Sequence, residues 1–405
     1  MKYAITKILV GLFCIAGFAV KSQYAWTQKA SCLGSARELS STFTIGHYGY
    51  VGCGTNGHSV NYPDWWRFNE RTNSWSSIAS YPGSGQVGCT AFSIGAKGYV
   101  GLGLNVSTDY TDFWEYDTIN NTWTQIASFP GTARYGAHAF VIGTNAYICC
   151  GSTGGPPYLT DCWKYNSLTN TWSSIAAIPD NGSSVAFSIG KYGYVGCGAI
   201  SGNINTSMYK YDTTANTWTS ISSIPASNAV GGQAFFVLGD TAYSVSGKDN
   251  SSHYLHESFS YNSNTNIWSS ALNFAGTARW DGLGFAIGNK GYVVTGLDSV
   301  GGVYNDLWEY AQVPSGINEI SLGNEGIVVY PNPAKDQLTV QLKGSEKATL
   351  VQLLSITGQE VCEQKGTSNS SQYLIDVQSL SNGVYFLKVK MLNGATSIRK
   401  VEIIK

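Results

Sequence analysis

Charge is scarce in this sequence. Of 405 residues, 24 are Lys or Arg and 25 are Asp or Glu. That is 12%, about half the share of an ordinary soluble domain. Methionine occurs only three times and histidine only five. So few charges, beside so many aromatics and glycines, argue against a coiled coil or helical bundle. The net charge is -1 and no long basic run exists, which excludes a nucleic-acid binder working through phosphate attraction. Beyond the first 25 residues no apolar run is long enough to cross a bilayer as a helix. Phosphate-cradling loops, nucleophile elbows and metalloprotease helix motifs are missing too. The sequence therefore names no catalytic set, no metal site and no cofactor. His253 and His256 have two residues between them, a spacing that in a loop reads as a solvated pair.

What is plentiful is aromatic side chain and glycine. Aromatics make up 13%, with 12 Trp and 26 Tyr, and there are 47 Gly. The hydrophobic fraction of 43% is enough to bury a large core. Together they suit many short strands joined by tight turns.

The N-terminus has the order of an export signal. Lys2 and Lys7 precede an apolar stretch from Ile8 to Val20, and small or polar residues follow, with Ser22 at a plausible cleavage point. Residues 1–22 are expected to be removed, leaving no transmembrane segment. Cleavage leaves eight cysteines: Cys32, Cys53, Cys89, Cys149, Cys150, Cys162, Cys197 and Cys362. An oxidising compartment permits disulfides, but connectivity cannot be read from sequence. Buried free thiols are expected at most of these sites.

From residue 23 to 313 the sequence repeats. Each unit opens with Phe, two residues and Gly, as in Phe43 to Gly46 or Phe92 to Gly95. A strand follows around Tyr50, Tyr99, Tyr147, Tyr194, Tyr243 and Tyr292, spaced 47 to 49 apart. Then comes an aromatic strand, and seven positions after its last aromatic a tryptophan, as in Tyr116 and Trp123 or Tyr165 and Trp172. Each unit holds four short strands that cannot bury both faces alone, so the units should stack radially. The sixth unit lacks its fourth strand, since Leu307-Trp308-Glu309-Tyr310 runs into Ala311 and Pro314. Tyr24-Ala25-Trp26-Thr27-Gln28 resembles the fourth strand Asn121-Thr122-Trp123-Thr124-Gln125 and is expected to complete it. The predicted architecture is all-β, a six-bladed propeller closed by its own N-terminal strand.

These residues resemble the kelch repeat, whose hallmarks are a glycine-ended apolar strand and a Tyr followed seven positions later by Trp. One departure is that the usual adjacent glycine pair is missing: the strand ends as Gly52-Cys53-Gly54, Gly101-Leu102-Gly103 or Cys149-Cys150-Gly151. Cys53, Cys150 and Cys197 occupy equivalent positions.

The composition shifts after residue 313. All tryptophans lie at or before Trp308, and residues 325–405 carry nine Lys or Arg and seven Asp or Glu. Residues 314–326 read as a linker. Strand patterns such as Gln337-Leu338-Thr339-Val340 and Tyr385-Phe386-Leu387-Lys388-Val389 then suggest a small immunoglobulin-like β-sandwich over 327–405. The motifs Tyr330-Pro331-Asn332-Pro333-Ala334, Ser355-Ile356-Thr357-Gly358-Gln359 and Leu380-Ser381-Asn382-Gly383-Val384-Tyr385 resemble, in order, the C-terminal sorting domain of the type IX secretion system. The resemblance implies passage through the periplasm, the type IX machinery as a partner, and a secreted or outer-surface location.

Two function classes fit. One is a non-catalytic binding module for glycan or protein. The other is a carbohydrate-active enzyme, since kelch propellers include galactose oxidase-like copper enzymes and six-bladed sialic acid mutarotases. A buried acid/base group in the channel would favour the second. Connections between the second and third strands vary between units, for example Thr55 to Pro63 and Asp249 to His256, and share one rim with the blade-to-blade connections. Six residues before each first-strand aromatic stand Arg37, Gln86, Arg134, Asn181, Val230 and Arg279. Beside them are Glu38, Tyr135, Trp280 and Asp281. Symmetry gathers them at one channel mouth, where three arginine forks are expected to meet an anionic ligand. The alternative is that each arginine pairs with a neighbouring blade's acid or a backbone carbonyl.

Overall fold

A computed structural model of the chain describes residues 24–405 except 58–59, 156–157, 181–184, 201–202, 226–230, 314–326, 345–346, 357, 367–369 and 393–395. The leader, the linker, Asn181 and Val230 lie outside the described residues.

Each repeat folds as a four-stranded antiparallel meander. Blade 1 comprises Ser41–Ile45, Tyr48–Gly52, Trp65–Asn69 and Ser74–Ile78. Five successive sheets repeat this order, ending in Leu283–Ile287, Lys290–Val294 and Leu307–Gln312. The sixth blade takes its fourth strand from Tyr24–Lys29, antiparallel to Leu307–Gln312, with Trp26 opposite Tyr310. First strands of neighbouring blades touch all the way round, and blade 6 meets blade 1. The result is a closed six-bladed propeller.

The repeated residues explain the blade and its packing. The glycine ending each first strand, Gly46 in blade 1 and Gly95 in blade 2, has φ near +60. A two-residue hairpin needs that conformation, and only glycine takes it without cost. Within a blade the first-strand Phe stacks on the second-strand Tyr, as Phe43 does on Tyr50 at 4.7 Å. Its outer edge presses on the next blade, where a Cβ at Gly98 would lie 2.3 Å from the Phe43 ring. The pattern tryptophans tie blades at the periphery. Each indole N–H donates to a carbonyl leading out of the preceding blade: Trp75 to Ala30, Trp123 to Ala79, Trp172 to Ala127, Trp218 to Ala176, Trp268 to Ser222 and Trp26 to Leu272. Trp75 and Trp268 are buried, and Trp26, Trp123, Trp172 and Trp218 are half-buried.

The missing glycine pair leaves its conformation behind. Cys53, Leu102, Cys150, Cys197, Ser246 and Thr295 all have φ between 44 and 64. A non-glycine residue in this left-handed region stores about 1 kcal/mol, and the surrounding blade holds it there.

Residues 327–405 belong to a separate compact unit. One sheet is formed by Ile327–Tyr330, Gln337–Leu342 and Gln372–Asp376; the other by Glu360–Lys365, Ala348–Leu354, Gly383–Met391 and Thr396–Ile403. Alternating residues of both sheets, Leu338, Val340, Val351, Leu353, Leu387, Val389 and Val401 among them, form one buried core. This is a small immunoglobulin-like sandwich.

Candidate functional site

In blades 1, 2, 3, 5 and 6 the lead-in segment runs past the channel mouth before the first strand. It is tied to the connection between second and third strands by isolated bridges: Glu38 to Thr55, Val87 to Leu104, Tyr135 to Ser152, Gly231 to Lys248 and Trp280 to Leu297. These bridges put the variable connections on the same rim. One residue further, Leu39, Gly88, Gly136, Gly232 and Asp281 all take positive φ. Neighbouring members bond around the mouth, Gly88 N–H to Leu39 O and Gly136 N–H to Gly88 O, each at 2.8 Å.

The three arginines are not part of that mouth. Arg37, Arg134 and Arg279 are at most 1% exposed, and each turns back into its own blade. Arg37 forks onto Asp64 at 2.9 and 2.8 Å, Arg134 onto Asp161 at 2.7 and 2.8 Å, and Arg279 onto Asp306 at 2.6 and 3.0 Å. Each also donates to the carbonyl of the left-handed residue ending the second strand, Cys53, Cys150 or Thr295. The third-strand tryptophan completes the knot, as Trp66 N–H does on Asp64. Burial alone would raise the Asp64 and Asp161 carboxyls, but the bonds from arginine and tryptophan outweigh it and hold both below the usual range. The expectation of three forks facing a ligand is therefore corrected: a guanidinium taken out of water needs its charge answered nearby. The partner is the same blade's aspartate, not a neighbour's. In blade 2 Gln86 takes the arginine's place, and Asp112 keeps only its bonds from Trp114 and Ser84.

What remains at the mouth is a cluster between blades 5, 6 and 1. It lies on one side of the central cavity, about 570 Å³ and walled by residues of all six blades, with Gln233, Lys248, Trp280 and Asp281 in its wall. The Trp280 ring lies directly on Gly232, where a Cβ would be 1.9 Å from the indole. The Lys248 ammonium sits 4.2 Å above that ring. Asp281 stands where blades 2, 3 and 5 carry glycine, at φ 50. Among the described residues its Oδ2 has no hydrogen-bond partner, and neither amide atom of Gln233 has one. Burial, reinforced by the nearby Glu38 charge and opposed by Lys248, pushes the Asp281 carboxyl up to about 7. Glu38 is itself buried. Across the mouth, Tyr135 packs over Gly88 as Trp280 does over Gly232.

Trp280, Asp281, Glu38 and Tyr135 are thus brought to the mouth, while Arg37, Arg134 and Arg279 are withdrawn from it. Gln233 and Lys248 went unnoticed in the sequence. Both were accessible by aligning columns: Lys248 is the charged residue where other blades have Thr55, Leu104, Ser152 and Leu297, and Gln233 aligns with Ser40, Cys89, Ala137 and Gly282. Among the described residues the histidines do not converge. His253 bonds Asp249 at 3.0 Å, and His256 bonds the Phe274 carbonyl at 3.0 Å.

Two family models match. One, the secretion system C-terminal sorting domain, covers residues 328–405. The other, the Kelch motif, covers residues 133–177, which run from just before Arg134 through the fourth strand of blade 3. The chain is a kelch propeller with a type IX sorting domain. No curated protein matches the sequence. Among solved structures the kelch chain is similar to the structure of YjhT, with a TM-score of 0.59 and 15% identity, covering 69% of this chain and 95% of that one. At that identity the likeness shows the fold alone. The sorting domain directs the kelch propeller through the type IX system to the cell surface or the medium. No helix among its described residues is long and apolar enough to cross a membrane.

Proposed function

We propose that the exported propeller is a non-catalytic glycan-binding module, with its ligand in the channel mouth against Trp280. The observation that carries this reading is a set of buried polar atoms left without partners in a cavity wall. Gln233 offers both a donor and an acceptor there, and Asp281 offers an oxygen. Buried polar groups are costly unless bonded, and sugar hydroxyls both donate and accept. The Trp280 ring beside them supplies the flat apolar face on which a sugar ring stacks. With the arginines engaged inside the blades, Lys248 is the cation among the described residues of the wall, and it and Glu38 both act on Asp281. A neutral sugar suits that balance better than an anionic one.

The test is a glycan array probed with the full chain. A hit should lose at least about tenfold in affinity in Trp280→Ala and Gln233→Ala, the loss of one stacking or hydrogen-bonding contact, with the melting temperature nearly unchanged. Affinity preserved in both variants would move the site elsewhere.

One observation favours a second reading, carbohydrate chemistry at the same mouth. A carboxyl titrating near neutrality beside a second carboxylate can give and take a proton. If the propeller turns over the sugar it binds, Asp281→Asn should abolish turnover while leaving binding in place. Exchange between sugar anomers followed by NMR reads the two separately.

A further inference from the structure

Blade 3 differs from the other five at one cross-strand pair. The last residue of the second strand's common segment faces the first residue of the third strand's. Elsewhere the pair is Gly52 and Trp65, Gly101 and Phe113, Gly196 and Met208, Val245 and Ser258, or Val294 and Leu307. In three of these a glycine makes room for a large side chain lying across it; a Cβ at Gly101 would be 2.3 Å from the Phe113 ring. In blade 3 the pair is Cys149 and Cys162.

The backbone pattern fixes the kind of pair. Just beyond it, the next N–H on the second strand donates to the carbonyl before the third: Cys53 to Asp64 at 3.3 Å, Leu102 to Asp112 at 3.1 Å, and Ser246 to Glu257 at 3.1 Å. Such bonds flank a non-hydrogen-bonded pair, whose Cα atoms stand about 4.5 Å apart. A disulfide accepts Cα separations of about 4.4–6.8 Å. Both thiols are free in the structure, both residues are at most 1% exposed, and each lies in the other's electrostatic surroundings. The chain is also an exported one, and it crosses compartments where disulfides form and persist.

We propose that Cys149 and Cys162 are joined by a disulfide in the exported protein. Two thiols lose two protons and two electrons to a protein disulfide of the oxidising compartment. One thiolate attacks a donor sulfur to give a mixed disulfide. The other then displaces the donor, which leaves as a dithiol. Because both sulfurs are sealed in the finished blade, the bond forms before the blade closes. It staples the base of the blade 3 connection that carries Ser152 on the ligand rim. Cys53 and Cys89 also touch, but Cys53 lies past its strand's end and Cys89 lies just before the first strand of the next blade, Thr90–Ile94, so no shared register holds them.

The experiment takes the full chain collected outside the cell and denatures it in alkylating agent without reductant. Cleavage on the N-terminal side of Asp161 separates the two cysteines. The fragment containing Cys149 should then travel joined to the fragment containing Cys162 and part from it on reduction. The link should persist in Cys150→Ala and vanish in Cys149→Ala. Alkylation of both residues without prior reduction, or a link from either to another cysteine, overturns the proposal.

Discussion

A buried guanidinium is tolerable only when its charge is answered, and here the answer is local. Arg279 donates to Asp306, to Thr295 O and to Thr277 O, and lies over Phe274 and Tyr304. Removing the acid strands the cation. Asp306→Ala should cost about 3–5 kcal/mol of stability, the usual penalty for half of a buried pair, read as a drop in denaturant midpoint at constant slope. A change under about 1 kcal/mol would mean the pair is not what holds the arginine in. The pairing was written in the sequence: the interval from Arg to Asp is 27 residues in all three blades. It was overlooked because an arginine read against its neighbours in sequence shows no acid that far downstream. Asp281 is the opposite case, a buried carboxyl with too little to answer it. Between about pH 4 and 7 the folded protein keeps a proton on Asp281 that the unfolded chain has lost. Stability should therefore fall as pH rises through that window and level off above it. Glu38, Lys248 and Tyr254 face the same group. Asp281→Asn tolerates the left-handed backbone and removes the proton. It should flatten the profile and gain on the order of a few kcal/mol at pH 8; a parallel profile in parent and variant would refute the raised carboxyl.

At the scale of the strand, the ring depends on its last piece. Tyr24–Lys29 contributes more than an edge. Trp26 packs against Phe236, Phe274 and Tyr310, its indole bonds Leu272 O, and Ala30 just beyond receives the indole of Trp75. Trp26→Ala should cost about 2–4 kcal/mol, toward the lower part of the range for a large aromatic because the ring is half-buried. Deleting residues 24–30 should cost several kcal/mol more, since it also opens the edge of Leu307–Gln312. Thermal melting reads both, and a truncated chain melting like the parent would exclude closure by this strand. The strand was legible in sequence because Trp-Thr-Gln recurs in Trp26 to Gln28 and Trp123 to Gln125. The blades were legible for the same reason: repetition turns weak local signals into a strong one. The mouth was less legible because the proposed site sits where the repeat breaks. Asp281 stands where three blades have a ring glycine, Lys248 and Gln233 replace small or apolar residues, and departures that differ from blade to blade have no pattern of their own.

At the scale of the molecule, the proposed binding site and the export signal belong to separately built units. The core of the C-terminal sandwich is closed within itself, formed by residues from Ile327 to Ile403, and the propeller core draws only on residues before Val313. Among the described residues neither unit supplies a strand to the other. Removing residues 327–405 should therefore leave the propeller's melting temperature within a few degrees of the parent's, because no propeller contact named above is lost. Its address should change completely. Without the sorting domain the chain has nothing to present to the type IX machinery, so the truncated protein should collect in the periplasm, folded. Fractionation with immunodetection locates it, and circular dichroism melting of the periplasmic material checks its fold. Any glycan that the parent binds should still bind with unchanged affinity, since the channel mouth lies entirely within the propeller. A truncated chain that reaches the medium at the parent's level would refute the export role. One that accumulates unfolded would instead refute the independence of the two cores, so the two failures are told apart by the melt.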